Sequence, residues 1–236
     1  MHPLDNIIWK ALSTRQAEFA ESFNQARRFM PEVSPLAAFL EPSAEGYESL
    51  AGLLLNSTGT IGLFLEKPYQ PRAGWNLIAG APMPEMVYEG ASVPLPHRSS
   101  DPEIVELGTA DSLEMMKLTA LTKPGPFHKR THELGEYLGI RRDGKLVAMA
   151  GERLKIPGYT EVSAVCTHPQ HTGHGYASVL MMEVMRRIIS RGETPLLHVR
   201  EDNVRAIALY ESLGFKRRVL LHFAVLRKDQ LNKDQA

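Results

Sequence analysis

Cysteine is almost missing from this chain. Its one cysteine, Cys166, excludes an internal disulfide and fits a reducing compartment. An excess of either charge is missing too. Lys+Arg and Asp+Glu both total 27, so there is no basic footprint for nucleic acid or an anionic membrane face. No apolar run approaches the ~20 residues needed to cross a bilayer. The opening MHPLDNIIWKALSTRQ lacks a basic segment followed by an apolar core. No signal peptide is therefore expected, and the cytoplasm is the default location. Internal repeats and low-complexity segments are absent as well.

What is present is an ordinary globular mixture. The chain has 236 residues, 43% hydrophobic and 23% charged, enough for one large domain or two small ones. Residues 4–28 place Ile7, Ile8, Leu12, Phe19 and Phe23 at helical spacing. Residues 28–40 are β-like but interrupted by Pro31 and Pro35. A helix is expected over 43–55, with Ser43 as N-cap and Tyr47, Leu50, Leu53 and Leu54 on its buried side. A turn at 56–59 and short strands at 61–65 and 75–78 follow. The polar, proline-bearing 90–101 reads as a linker, dividing the chain into an N-terminal α/β region, 1–100, and a second domain, 101–236.

The second part has sharper signals. A strand at 104–107 precedes a helix at 110–122 with Asp111 or Ser112 near its cap. Strands at 137–141 and 145–154 meet across Asp143-Gly144, a hairpin dipeptide because glycine accepts positive φ. Pro157-Gly158 turns the chain into a strand at 160–167. In the next helix Ala177, Leu180, Met181, Val184, Met185 and Ile188 share one face, and Gly192 is its stop. A short strand at 196–199, a helix at 203–213 and a strand at 215–226 complete the order β-α-β-β-β-α-β-α-β. The fold class is α/β (α+β), a mixed, mostly antiparallel sheet flanked by helices.

The stretch 162–177, VSAVCTHPQHTGHGYA, carries the chemistry. A strand runs into a glycine-bearing turn, and a long helix starts near Tyr176. Glycines let a ligand approach the backbone, and the first helical N–H groups lack partners and sit at the positive end of the dipole. Such a turn suits a diphosphate. The metal-ligand types Cys166, His168, His171 and His174 offer a rival constellation, but Pro169, Gly173 and Gly175 break the helix that would align the histidines.

Gln170-x-x-Gly173-x-Gly175 resembles motif A of the GNAT acyltransferases. The later Asn203-x-x-Ala206-x-x-x-Tyr210-x-x-x-Gly214-Phe215 is similar to the signature that follows motif A in that superfamily. The likeness covers 104–236, within the FR47-like and glycine N-acyltransferase-like members. It implies the GNAT fold and leaves 1–90 readable as a degenerate copy of it. It also implies acetyl-CoA as co-substrate, with no metal, and direct transfer of acetyl to a small-molecule or peptide amine. Neither nucleic acid nor membrane is expected as a partner, and a homodimer is allowed. A CoA-binding regulatory module is the non-enzymatic alternative.

By the same resemblance, backbone of Ala164, Val165, Cys166 and Thr167 pairs with the pantetheine arm. The turn Gln170, His171, Thr172, Gly173, His174, Gly175 and Tyr176 holds the diphosphate, with Asn203, Ala206 and Tyr210 near the cofactor. Many relatives place arginines in this turn, whereas His171, Thr172 and His174 leave it without a fixed cation. Affinity for CoA should then rise as histidines protonate below ~6.5, or else both imidazoles point to solvent and the backbone amides suffice. Tyr210 is the acid for the leaving thiolate, or else a core tyrosine. Asn203 serves the cofactor, caps its helix, or both. Glu161 and His198 are candidates for the base; Glu161 reads equally as an exposed strand-end charge, and His198 as a buried structural histidine. Cys166 reads as a small core residue rather than a nucleophile. Glu133, Glu136 and Tyr137 are candidates for the acceptor pocket.

Overall fold

The computed structural model describes residues 2–55, 59–90 and 102–229. The expected turn at 56–59 and linker at 90–101 fall almost wholly outside them. Two compact units are discontinuous in sequence. One comprises Met1–Met30, Pro35–Met83 and Leu220–Ala236, the other Pro31–Ser34 and Pro84–Val219.

In the first unit, α1 (Ile7–Ser13) is followed by β1 (Ala20–Phe23), β2 (Ala26–Phe29) and β3 (Ala37–Phe39), which form a small sheet. The helical spacing over 4–28 thus ends at Ser13. Asn24 takes a left-handed φ of 47° and turns the chain into the β1–β2 hairpin. Asparagine tolerates that region through local hydrogen bonding. Phe23, which the helical pattern would bury, is 43% exposed. Next, α2 (Ala44–Leu53) starts as expected, with the Ser43 hydroxyl accepting from the Gly46 N–H at 3.1 Å. Its Tyr47 and Leu50 pack with Phe39, Leu63 and Trp75 in this unit's core. Then come β4 (Thr60–Leu65) and β5 (Trp75–Tyr88). The second strand continues well past 78. Pro82 and Pro84 mask it in the sequence, because proline donates no ladder hydrogen bond.

The second unit runs β6 (Ile104–Leu107), α3 (Ser112–Thr122), β7 (Tyr137–Arg142), β8 (Lys145–Ile156), β9 (Tyr159–Thr167), α4 (Tyr176–Ser190), β10 (Thr194–His198), α5 (Val204–Ser212) and β11 (Phe215–Lys228). This is the order read from the sequence. The strands lie β5-β10-β9-β8-β7-β6, and β5 and β11 contribute residues to both units. In the first unit the order is β4-β11-β5, so eight strands are ordered in all. The β9–β10 pair is parallel; β5–β10, β8–β9, β7–β8, β6–β7 and β4–β11 are antiparallel. Asp143 and Gly144, at φ 51° and 74°, make the β7–β8 turn. One face of the sheet packs Leu138, Ile140, Ala148 and Val162 against Leu180, Met181 and Val184 of α4. Tyr137, Met149 and Cys166 lie instead with Met115 and Leu118 of α3.

Candidate active site

The turn between β9 and α4 is built for close approach. His168 Nδ1 accepts from the Gln170 N–H at 3.2 Å and shapes a 3-10 turn over Pro169–His171. Gly173 and Gly175 then take φ of 84° and 76°. A side chain built at either would meet nothing within 4 Å, so the turn faces open space. Gly175 is the N-cap of α4, and no side chain caps this helix. No acidic residue stands in its first turn. Its leading N–H groups, with the positive end of a 15-residue helix behind them, therefore point out of the protein without a partner from a side chain. These residues fit a diphosphate.

The turn has a fixed cation that its own sequence does not show. Arg142, at the end of β7, donates from Nε to the Tyr176 hydroxyl at 3.0 Å, and its guanidinium lies 5.2 Å from that ring's centre. His174 stacks on the other residue of this group, Tyr176, at 5.3 Å. Its Nδ1 lies 3.1 Å from the carbonyls of both His171 and Thr172, so Nδ1 carries the proton. The expectation of a turn without a fixed cation is corrected: Arg142 comes from 34 residues upstream, beyond the reach of a local motif.

Beside the turn, β9 bulges against β8 and parts from β10. Cys166 pairs with Met149 and Ser163 with Gly151, so Ala164 and Val165 together oppose Ala150. This is a β-bulge, and Ala164 takes φ 54° within it. On the other edge, β10 pairs with Tyr159, Thr160 and Glu161 and no further. From 162 to 167 that edge of β9 lacks a β10 partner. Its backbone groups are available to the amides of an extended ligand arm.

A row of charges crosses the sheet where the two strands part. Glu161 accepts from Arg153 Nε and Nη2 at 2.8 and 2.6 Å and lies 2.7 Å from His198 Nδ1. His198 Nε2 lies 3.2 Å from Glu85, which also pairs with Arg218. The side chains of Glu85 and His198 are 0% exposed. Burial pushes the Glu161 carboxyl up, but Arg153 and His198 more than reverse this and hold it at about 2. Burial likewise pushes His198 down, and Glu161 and Glu85 outweigh it, so the imidazole sits above its ordinary value.

These contacts correct the reading of Glu161 as an exposed strand-end charge: its side chain is buried, paired with Arg153 on one side and His198 on the other. His198 is buried too, with both ring nitrogens directed at carboxylates. Sequence reasoning missed Arg153, Glu85 and Arg218. Adjacent charges in the apolar run AMAGERLKI were the available signal for Arg153. Glu85 was hidden in a proline-bearing segment.

The remaining residues divide clearly. Asn203 caps α5, its side-chain oxygen accepting from the Ala206 N–H at 3.2 Å. Ala206 and Tyr210 pack against the core on the α4 face. Tyr210 lies 6.3 Å from Phe215, and burial pushes its phenol up to about 12. Cys166 is buried on the α3 face, and burial pushes its thiol up to about 11, as suits an inert core thiol. The Cys/His constellation does not converge. His168 and His171 meet ring to ring at 5.7 Å while His174 stacks on Tyr176. Among the described residues no three His, Cys, Asp or Glu side chains form a metal-binding group. Of the acceptor-pocket candidates, Glu133 pairs with Arg130 and Glu136 with Arg187 and Arg191. Tyr137 is buried, and its hydroxyl has no partner among the described residues.

Comparisons with known proteins agree with this geometry. The profile of the FR47-like protein family matches residues 137–223, from the start of β7 into β11. A solved structure from Novosphingobium aromaticivorans, assigned to the GNAT family as an acetyltransferase, is 38% identical with a TM-score of 0.87. That similarity covers 98% of this chain and 100% of the other. The chain belongs to the GNAT family of acetyltransferases. The N-alpha-acetyltransferase RimI of Mycobacterium tuberculosis is 39% identical over 84 residues, 34% of this chain. The matched stretch spans about half, 52%, of that relative. A GCN5-related N-acetyltransferase from Kribbella flavida shares the fold at 15% identity, with a TM-score of 0.61 over 97% of this chain and 95% of its own. Among the described residues no helix is long and apolar enough to cross a membrane.

Proposed function

We propose that this chain moves an acetyl group from acetyl-CoA to an amine, of a peptide or a small molecule, by direct attack in a ternary complex. The observation that carries the reading is the uncapped start of α4 behind Gly173 and Gly175, opening beside an unpaired edge of β9. The N–H groups from Gly173 to Tyr176 bind the diphosphate. The free backbone of 162–167 pairs with the pantetheine arm and lays the thioester along the strand. The amine lone pair attacks the carbonyl carbon, a C–N bond forms, and collapse breaks the C–S bond.

Tyr210 gives the leaving sulfur its proton. With its phenol near 12, it stays protonated through the neutral range. The same burial makes a nearby thiolate more basic, which keeps the transfer feasible. Neither Glu161 nor His198 takes the amine's proton. The acceptor arrives as the neutral amine; the proton its nitrogen sheds after attack passes to water, and water returns a proton to Tyr210 once the thiol has formed. The charged row acts by position: Glu161 stands in the last β9–β10 pair and ties the strands together where they diverge.

Release of free CoA thiol in the presence of a panel of peptide and small-molecule amines tests the reading. Tyr210→Phe should lower turnover about a hundredfold while acetyl-CoA affinity holds. Tight acetyl-CoA binding with no amine-dependent thiol release would instead indicate a binding module. Unchanged turnover in the variant would remove Tyr210 from the mechanism.

A further inference from the structure

Tyr137 carries a buried hydroxyl that the fold does not use. The residue is 2% exposed, and its hydroxyl has no hydrogen-bond partner among the described residues. A buried phenol ordinarily finds one, because leaving the group unmet is costly. The hydroxyls of Tyr69 and Tyr88 are also buried without partners. Tyr88 lies in the core on the α4 face, and Tyr69 packs against the core of the first unit. Tyr137 differs in what stands beside it.

Strand register gives its place. Tyr137 on β7 is opposite Gly151 on β8, and Gly151 is opposite Ser163 on β9, so all three share the α3 face. A Cβ at position 151 would lie 2.3 Å from Tyr137 Cδ1 and 2.6 Å from Cε1. Glycine there lets the ring lie across β8, which carries the hydroxyl toward β9. Phe127 packs edge-on against the ring, with centroids 5.6 Å apart. Arg153 and Glu161, two residues from Gly151 and Ser163 on the same strands, are close enough for their charges to act on the phenol. Burial pushes the phenol above its ordinary value while Arg153 pulls it down, and the group stays protonated. The buried run of β9 ends at Val162, and Ser163, Ala164 and Val165 are half-buried. The hydroxyl therefore stands where β9 opens, beside the bulge at Ala164 and the last β9–β10 pair.

Chemistry says what would meet it there. In the acetyl-CoA reading the thioester lies at the end of the open edge that is farther from the turn. Tyr210 serves the sulfur from the α4 face, which leaves the α3 face to the amine. A neutral amine has N–H donors and one lone pair, and that lone pair must stay free for the carbonyl carbon. It needs an acceptor oxygen without a charge that would trap an ammonium ion, and a protonated phenol is one. The nearby Glu161 carboxylate is already taken up by Arg153 and His198.

We propose that Tyr137 holds the acceptor amine, its hydroxyl oxygen accepting from the amine N–H so that the nitrogen lone pair faces the thioester carbon. The inference rests on the acetyl-transfer reading above and fails separately from it. The phenol keeps its own proton throughout, and the proton shed by nitrogen after attack still passes to water. Steady-state kinetics, acetyl-CoA titration and urea unfolding of wild type and Tyr137→Phe provide the test, with the amine from the panel that wild type acetylates best. The variant's kcat/KM for the amine should fall about tenfold, as loss of one orienting hydrogen bond implies. Its affinity for acetyl-CoA should hold. Its unfolding midpoint should hold or rise, because no hydrogen bond within the protein is removed. Unchanged kcat/KM for the amine would overturn the assignment. A matching loss of acetyl-CoA affinity would overturn it too, by placing the hydroxyl on the cofactor, as would a lower midpoint, by giving it a structural partner. Failure of wild type to release thiol with any amine would overturn the acetyl-transfer reading itself.

Discussion

Two carboxylates face His198, and a guanidinium and that imidazole face Glu161. Each of the two groups favours the charged form of the other, with Glu85 and Arg153 adding to the effect. The Glu161 carboxyl is depressed from its ordinary 4.5 to about 2, so its contribution is complete above 4.5 and is lost as pH falls toward 2. The His198 imidazole is raised above 6.5, so its contribution is complete below 6.5 and is lost as pH rises through the folded value. The row should therefore stabilise the fold most between about pH 4.5 and 6.5. Glu161→Gln leaves Arg153 and His198 buried without their carboxylate, which should destabilise by about 3–5 kcal/mol. Urea unfolding of wild type and variant across this pH range checks both statements. Equal midpoints, or a variant with the wild-type pH dependence, would contradict them.

At the scale of elements, the strand, turn and helix from 159 to 190 were legible because their signals are local. Glycines at fixed spacing, a six-residue apolar face on α4 and a hairpin dipeptide each act within a few residues. The bulge at Ala164 was not legible. Alanine carries no mark of a left-handed conformation, and only the register against β8 reveals it. The length of β5 was hidden by its prolines, and the helix expected over 4–28 gave way to a hairpin at Asn24. Tertiary pairing overrode local periodicity there. The bulge has a direct test. Ala164→Val places a β-branched residue at a positive φ that it strongly resists. It should destabilise by about 1–3 kcal/mol and weaken acetyl-CoA binding, since the open edge of β9 depends on that kink. Denaturant unfolding paired with calorimetry checks this; full stability with full affinity would mean that the bulge is incidental.

At the scale of the molecule, the site draws on distant parts of the chain. Arg142 lies in the β7–β8 hairpin, Glu85 in a strand that composition assigned to the N-terminal region, and Arg218 in β11. None belongs to a local motif, which is why motif reading found the backbone cradle but not its charges. The neutral balance of 27 acidic and 27 basic residues conceals a row of buried, paired charges across the sheet. The proposed grip of main chain at the start of α4 on the diphosphate of acetyl-CoA is tested most directly by titrating acetyl-CoA into wild type, Gly173→Ala and Gly173→Glu. Both variants strain the same positive φ, but only glutamate puts a carboxylate into the open space before the helix. Micromolar binding by wild type, weakened in Gly173→Ala and abolished in a folded Gly173→Glu, is the predicted result. Equal binding by wild type and Gly173→Glu, or no binding by wild type, would contradict it.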